Sequence, residues 1–209
     1  LSRLPTSWNT VLGNSEFMPA VKFRLGIDLG GQDRDGRCGC RGGRLNPDSV
    51  AGCRSRSGHR QIAHDMVVRC VRAMAASSGD VARIEPHDTL LPDGDVSQRR
   101  PEVAVSRVGL PTELIDVRVV NNSQPTRHRF VYGSYAQDGE RVKIAAYESV
   151  VPRTSTFKPI VVEFLGIVAS KGSDYIRKLS GRAVAKGWKA SAYMEHWRLR
   201  LSLTLAKAV

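Results

Sequence analysis

Three short segments carry the residue types that phosphodiester chemistry needs. RRPEVAV places Glu102 at the start of a predicted strand, and LIDVRVV places Asp116 on the next. ERVKIAAY carries Lys143 on the predicted helix that follows. A carboxylate in a strand as apolar as that around Asp116 costs several kcal/mol unless something satisfies it, and a metal ion would do so. Two carboxylates from neighbouring strands hold Mg²⁺ through oxygen ligands. Such an ion activates water and neutralises charge on a phosphodiester. Lys143 is then the candidate to steady the phosphate or orient the water. The alternative is structural, with Asp116 simply paired to Arg100 or Arg118.

The elements that must position these residues are legible from periodicity. Phe17, Ala20, Val21 and Leu25 share one face of a predicted helix over 15–25, and an irregular Gly-, Arg- and Asp-rich excursion follows. From Gly58 to Ser77, Ala63, Val67, Cys70, Val71 and Met74 form a core-facing helical stripe. A short strand is expected around VARIEP, then a turn-rich loop, TLLPDGDVSQRR. EVAVSRV alternates as a strand, and ELIDVRVVN is nearly continuous in β-branched residues, as a strand inside a sheet should be. After the basic loop NNSQPTRHR, a helix starting near Gln137 or Asp138 leads to PIVVEFLGI, a strand entered through its proline. Helices around 172–187 and 189–207 close the chain, and Tyr193, Trp197, Leu201 and Leu205 line one face of the last. This order predicts an α/β fold, a mixed sheet flanked by helices. It divides into 1–57, a helix and a Cys-rich irregular segment, and 58–209, the main domain.

The 209 residues carry a formal net charge of +12, which points to a polyanionic partner, most commonly nucleic acid. Residues 171–209 hold nine Lys or Arg against Asp174 and Glu195. In that stretch Arg177, Lys178, Arg182, Lys186, Lys189 and the interleaved Trp188 are candidate nucleic-acid contacts. Tyr193 and Trp197 read better as core. Residues 37–60 add a second basic array, from which Arg54, Arg56 and Arg60 are candidates. Solvated helix faces are the plain alternative for both arrays. The four cysteines, Cys38, Cys40, Cys53 and Cys70, do not form the framework of a small secreted fold, so a reduced intracellular compartment is expected, mitochondrial or nuclear. No apolar run is long enough for a transmembrane helix, and no membrane partner is expected. The opening LSRLPTSW, without an initiator Met, suits either a processed product or a piece of a longer chain.

Taken in order, these segments resemble the C-terminal part of reverse-transcriptase polyproteins from non-LTR retrotransposons. That region ends in a zinc knuckle and a restriction-endonuclease-like domain of the PD-(D/E)XK type. LPTSW with EFMPAVKFRLGI resembles the family's opening segment, and CGC with NPDSVAGC its knuckle. GHRQIAHD, IEP, RRPEVAV, LIDVRVV, ERVKIAAY and PIVVEFLG resemble, in turn, its helix, strand and active-site motifs. The resemblance runs nearly end to end and rests on order and spacing rather than on any one piece. It implies a restriction-endonuclease-like fold, Mg²⁺ at Glu102 and Asp116, an active-site Lys143 displaced onto a helix, and Glu140 and Tyr147 supporting that helix. It also implies zinc in the knuckle, with Cys38, Cys40 and Cys53 as ligands and either Asp48 or His59 as the fourth.

The departures from the pattern bear on activity. Glu102 stands where the family usually has Asp, Asp48 and Ser49 stand where the knuckle has His, and Ala63 replaces an arginine before His64 and Asp65. His64 is either a contact near phosphate or a satisfied helix histidine. Two functions follow. The reading favoured by the charge and the substituted motifs is an RNA- or DNA-binding subunit of a larger ribonucleoprotein, such as an organellar ribosome, that does not cut. The alternative is an active Mg²⁺-dependent DNA-nicking endonuclease.

Overall fold

A computed structural model of the chain describes residues 57–85, 100–120, 133–164 and 166–207, with side chains from residue 61 onward. The element order is α1 (Ser57–Ser77), β1 (Val81–Ile84), β2 (Val103–Ser106), β3 (Thr112–Val120), α2 (Ser134–Tyr147), β4 (Ser155–Glu163), α3 (Ser170–Ala183) and α4 (Ala190–Lys207), with a 3₁₀ turn at Val184–Lys186 before α4. The predicted helix over 15–25, the Cys-rich segment and the loops TLLPDGDVSQRR (but for its last residue) and NNSQPTRHR lie outside the described residues.

The four strands form one mixed sheet in the order β1-β2-β3-β4. β1, β2 and β3 pair antiparallel, whereas β3 and β4 pair parallel. A parallel neighbour needs a crossover, and α2 supplies it. β3 is buried from Glu113 to Val117 because strands flank it and helices cover both of its faces. Ile115 and Val117 point to the main core with Val103, Val105, Ile160 and Val162. α1, α3 and α4 cover that face, with the predicted stripes at Val67, Cys70, Val71 and Met74, and at Tyr193, Trp197, Leu201 and Leu205, all buried. The opposite face carries Asp116 and is covered by α2. Ala136 packs there on Val161, and a Cβ at Gly139 would lie 2.9 Å from Val161 Cγ1. Small residues thus let α2 sit close over the sheet, which brings its later residues down to Asp116.

Three expected boundaries shift. β4 begins at Ser155, so Pro159 lies inside the strand rather than at its entry. β4 ends the sheet order, and an edge strand tolerates a residue without an N–H. α2 begins a turn earlier than Gln137, after Gly133 at φ 82°, and the Gln137 N–H donates to the Gly133 carbonyl at 3.0 Å. The helix expected over 172–187 stops at Ala183, and Gly187 at φ 85° ends the 3₁₀ turn in the left-handed conformation that glycine adopts freely.

Candidate active site

β2 and β3 are in register with Val103 opposite Ile115, so Glu102, one residue before β2, stands across from Asp116. The two carboxyl groups thus sit on facing strands and perturb each other's charge. Glu102 bends so that Oε2 accepts the Val117 N–H at 2.7 Å. Its other oxygen, Oε1, lies 3.2 Å from His64 Nε2, and His64 Nδ1 lies 3.2 Å from Asp65 Oδ1. Gln61 donates to that same Asp65 oxygen at 2.7 Å. From α2, the Lys143 ammonium forms an ion pair with Asp116 Oδ2. The partner of Asp116 is therefore Lys143, not Arg100 or Arg118 as the structural alternative supposed. Arg118 instead lines the open pocket that exposes the site, a cleft of about 440 Å³ bounded also by Gln61, His64, Glu102 and Lys143.

The electrostatics follow from this crowding. Burial, together with the adjacent Glu102 charge, raises the Asp116 carboxyl to about 7, against the pull of Lys143. Burial also pushes Glu102 upward, but hydrogen bonds from His64, Asp116 and the Val117 N–H prevail and hold it below the usual carboxylate range. The Glu102 hydrogen bond raises His64 to about 9, with Asp65 adding to the effect. The surroundings thus favour a protonated His64, an ionised Glu102 and a protonated Asp116 over their ordinary states.

Glu102 and Asp116 suit a hard divalent ion. They are an all-oxygen pair whose mutual repulsion a cation would relieve. Among the described residues no group of three or more His, Cys, Asp or Glu is placed to hold a metal. That is compatible with Mg²⁺, which binds through one or two carboxylates and keeps water or substrate phosphate in its remaining positions.

The supporting residues have definite tasks. Glu140 is buried in α2 and accepts from Ser170 Oγ at 2.9 Å and the Lys171 N–H at 2.8 Å, tying α2 to the start of α3. Buried Glu163 accepts the Ala136 N–H at 3.1 Å and fixes the other end of α2 to β4. Tyr147 stacks on Phe157 at 4.2 Å.

The predicted nucleic-acid contacts separate into distinct groups. Arg182 is not a surface contact. It donates to Asp80 at 2.6 Å and to Glu113 at 2.9 Å, with its side chain only 10% exposed. Lys178 and Arg107 join the same cluster through Glu113 and Asp80. Arg177 is exposed and paired with Asp174. Lys186 and Lys189 are exposed. Trp188 is half-buried with its ring edge-on to Tyr193 at 5.5 Å, so it packs on the core rather than standing free to stack. Arg54, Arg56 and the zinc candidates Cys38, Cys40, Asp48 and Cys53 lie outside the described residues, as do the side chains of His59 and Arg60. Sequence reasoning missed the Asp80–Glu113–Arg182 cluster, because its members are scattered along the chain. The position of Glu113 on the Ile115 side of β3 was the one signal available.

Among the described residues no helix is long and apolar enough to cross a membrane. No known family model matches the chain, and no curated protein is significantly similar to it.

Proposed function

We propose that this chain is a nucleic-acid-binding protein on a restriction-endonuclease-like fold and that its cleft cleaves phosphodiesters with Mg²⁺. The observation that carries the reading is convergence: Glu102 and Lys143, singled out by residue type, line one open cleft of a basic protein, and Asp116 is buried directly behind them, paired with Lys143. The mixed sheet flanked by helices and the order of motifs support a relationship to the C-terminal part of non-LTR retrotransposon reverse-transcriptase polyproteins.

In this account Glu102 and Asp116 would hold the ion, which supplies charge neutralisation at phosphate and a more acidic water. His64 and the Val117 N–H fix the Glu102 carboxylate. Lys143, on the cleft wall and paired with Asp116, would supply positive charge to a phosphate bound there. Arg118, beside it on the cleft wall, adds a second positive charge. Glu140 and Glu163 keep α2, and with it Lys143, at the correct height.

A second reading, binding without cleavage, is favoured by one specific feature. Lys143 and His64 already balance the two carboxylates from within the protein. In that case the chain serves as an RNA- or DNA-binding subunit of a larger assembly. The two readings part in an assay of a labelled duplex incubated with Mg²⁺ or with EDTA, using wild type and Glu102→Gln. Cleavage that needs both the metal and Glu102 supports the first. Salt-sensitive binding with an intact duplex throughout supports the second, and no affinity at low salt refutes both.

A further inference from the structure

A second concave feature borders the later part of α2. The later half of β4 is bonded along its outer side to the segment that follows it, Ala169 N–H to Val161 O and Glu163 N–H to Ile167 O. The earlier half, Ser155 to Pro159, lines a groove of about 560 Å³ with Ile144 and Tyr147 of α2 on one wall and Lys171 and Tyr175 of α3 on the other. That size falls within the range of pockets that hold ligands of a nucleotide's dimensions.

The lining combines an aromatic surface with uncompensated positive charge. Phe157 is half-buried and stacked on the buried Tyr147, with the ring planes 12° apart. Arg153, Lys158 and Lys171 border the groove and make no ion pair among the described residues. Lys178 and Asp174, on the same rim, are already held by Glu113 and Arg177. Among the described residues, these three cations without an ion pair therefore face one rim acid not already paired, Glu148. An added peptide strand would find no N–H at Pro159 and would gain nothing from the cations, whereas a polyanion with flat rings uses both features.

The groove also adjoins the cleft. Lys158 and Pro159 are the register partners of Ile115 and Asp116, and Ile144 follows Lys143 in α2. Adjacent strands lie about 4.8 Å apart. We propose that this groove is a second nucleic-acid contact, taking a single strand with a base against Phe157 and phosphates on Arg153, Lys158 and Lys171. The inference rests on nucleic acid being the partner, and it adds where an unpaired strand leaves the cleft.

The test is fluorescence anisotropy with a labelled oligothymidine and a labelled duplex hairpin over a range of salt. It compares wild type, Phe157→Leu, and the triple variant Arg153→Ala, Lys158→Ala, Lys171→Ala. Loss of three phosphate contacts should flatten the single-strand plot of log affinity against log salt by about 2. Phe157→Leu should weaken single-strand binding about tenfold, and duplex affinity should stay at the wild-type value in both variants. The triple variant changes only side chains at the groove rim, so it keeps the test open if Phe157→Leu fails to fold. Wild-type binding that neither variant alters would overturn the groove assignment and leave the proposed function standing. Equal losses on duplex and single strand would overturn the single-strand assignment. A wild-type protein that binds neither probe would refute the proposed function itself.

Discussion

Replacing Asp116 by Asn removes a charge while keeping the shape, at a position 1% exposed. In most ion pairs that change destabilises, yet here it should stabilise the protein at alkaline pH. The folded protein raises this carboxyl from 3.8 to about 7, first through burial and then through Glu102. The folded state therefore holds the proton more tightly than the unfolded state. The resulting contribution to stability is complete below the unfolded value and is lost as pH rises through about 7. Taken alone, a displacement of that size corresponds to about 4 kcal/mol. Glu102 is displaced the opposite way and Lys143 loses its partner, so the net gain for Asp116→Asn should be about 1–3 kcal/mol at pH 8.5. Near pH 4 the difference should vanish or reverse. Urea unfolding of both proteins at the two pH values measures it. Saturating Mg²⁺ should then restore wild-type stability at pH 8.5, by about 1–3 kcal/mol at 10 to 100 times its Kd, and leave the variant unchanged. An Asn variant that is less stable at pH 8.5, with no response of either protein to Mg²⁺, would show Asp116 and Lys143 to be an ordinary structural ion pair.

His64→Gln should show the pH dependence of a group raised by its partner. The wild-type advantage, about 1–2 kcal/mol after allowance for a side chain 23% exposed, is complete below pH 6.5 and lost as pH rises through about 9. Parallel denaturation curves at pH 6 and pH 10 check it, and a constant difference would argue against the Glu102 contact. Arg182→Met should cost about 3–5 kcal/mol because it leaves Asp80 and Glu113 buried without their cation. Thermal melting reads this directly, and an unchanged Tm would place Arg182 back at the surface.

Much of the architecture was legible because it depends on local periodicity. The α1 stripe at Val67, Val71 and Met74 and the β-branched run of β3 specify their own burial. The cleft was legible for a related reason. A carboxylate at Asp116 breaks the apolar pattern of its strand, and that break is visible without knowing what lies opposite. Partners distant in sequence were not legible. Charge alone could not distinguish Arg182, which is neutralised by residues 69 and 102 positions away, from Lys186, which faces solvent. Trp188 beside lysines suggested stacking on a ligand, but its contact with Tyr193 depends on how the 3₁₀ turn redirects the chain into α4. Pro159 suggested a strand boundary by a local rule, whereas its tolerance inside β4 comes from the strand's place at the sheet edge.

The most direct test of the account is nicking of supercoiled plasmid by the purified chain under Mg²⁺ or Mn²⁺, with Asp116→Asn at matched binding. Wild type should convert the plasmid to the open circle only with metal, and Asp116→Asn should lose that conversion while keeping its affinity for the plasmid. Tight binding with no nicking under either metal, or nicking that survives in Asp116→Asn, would contradict the account.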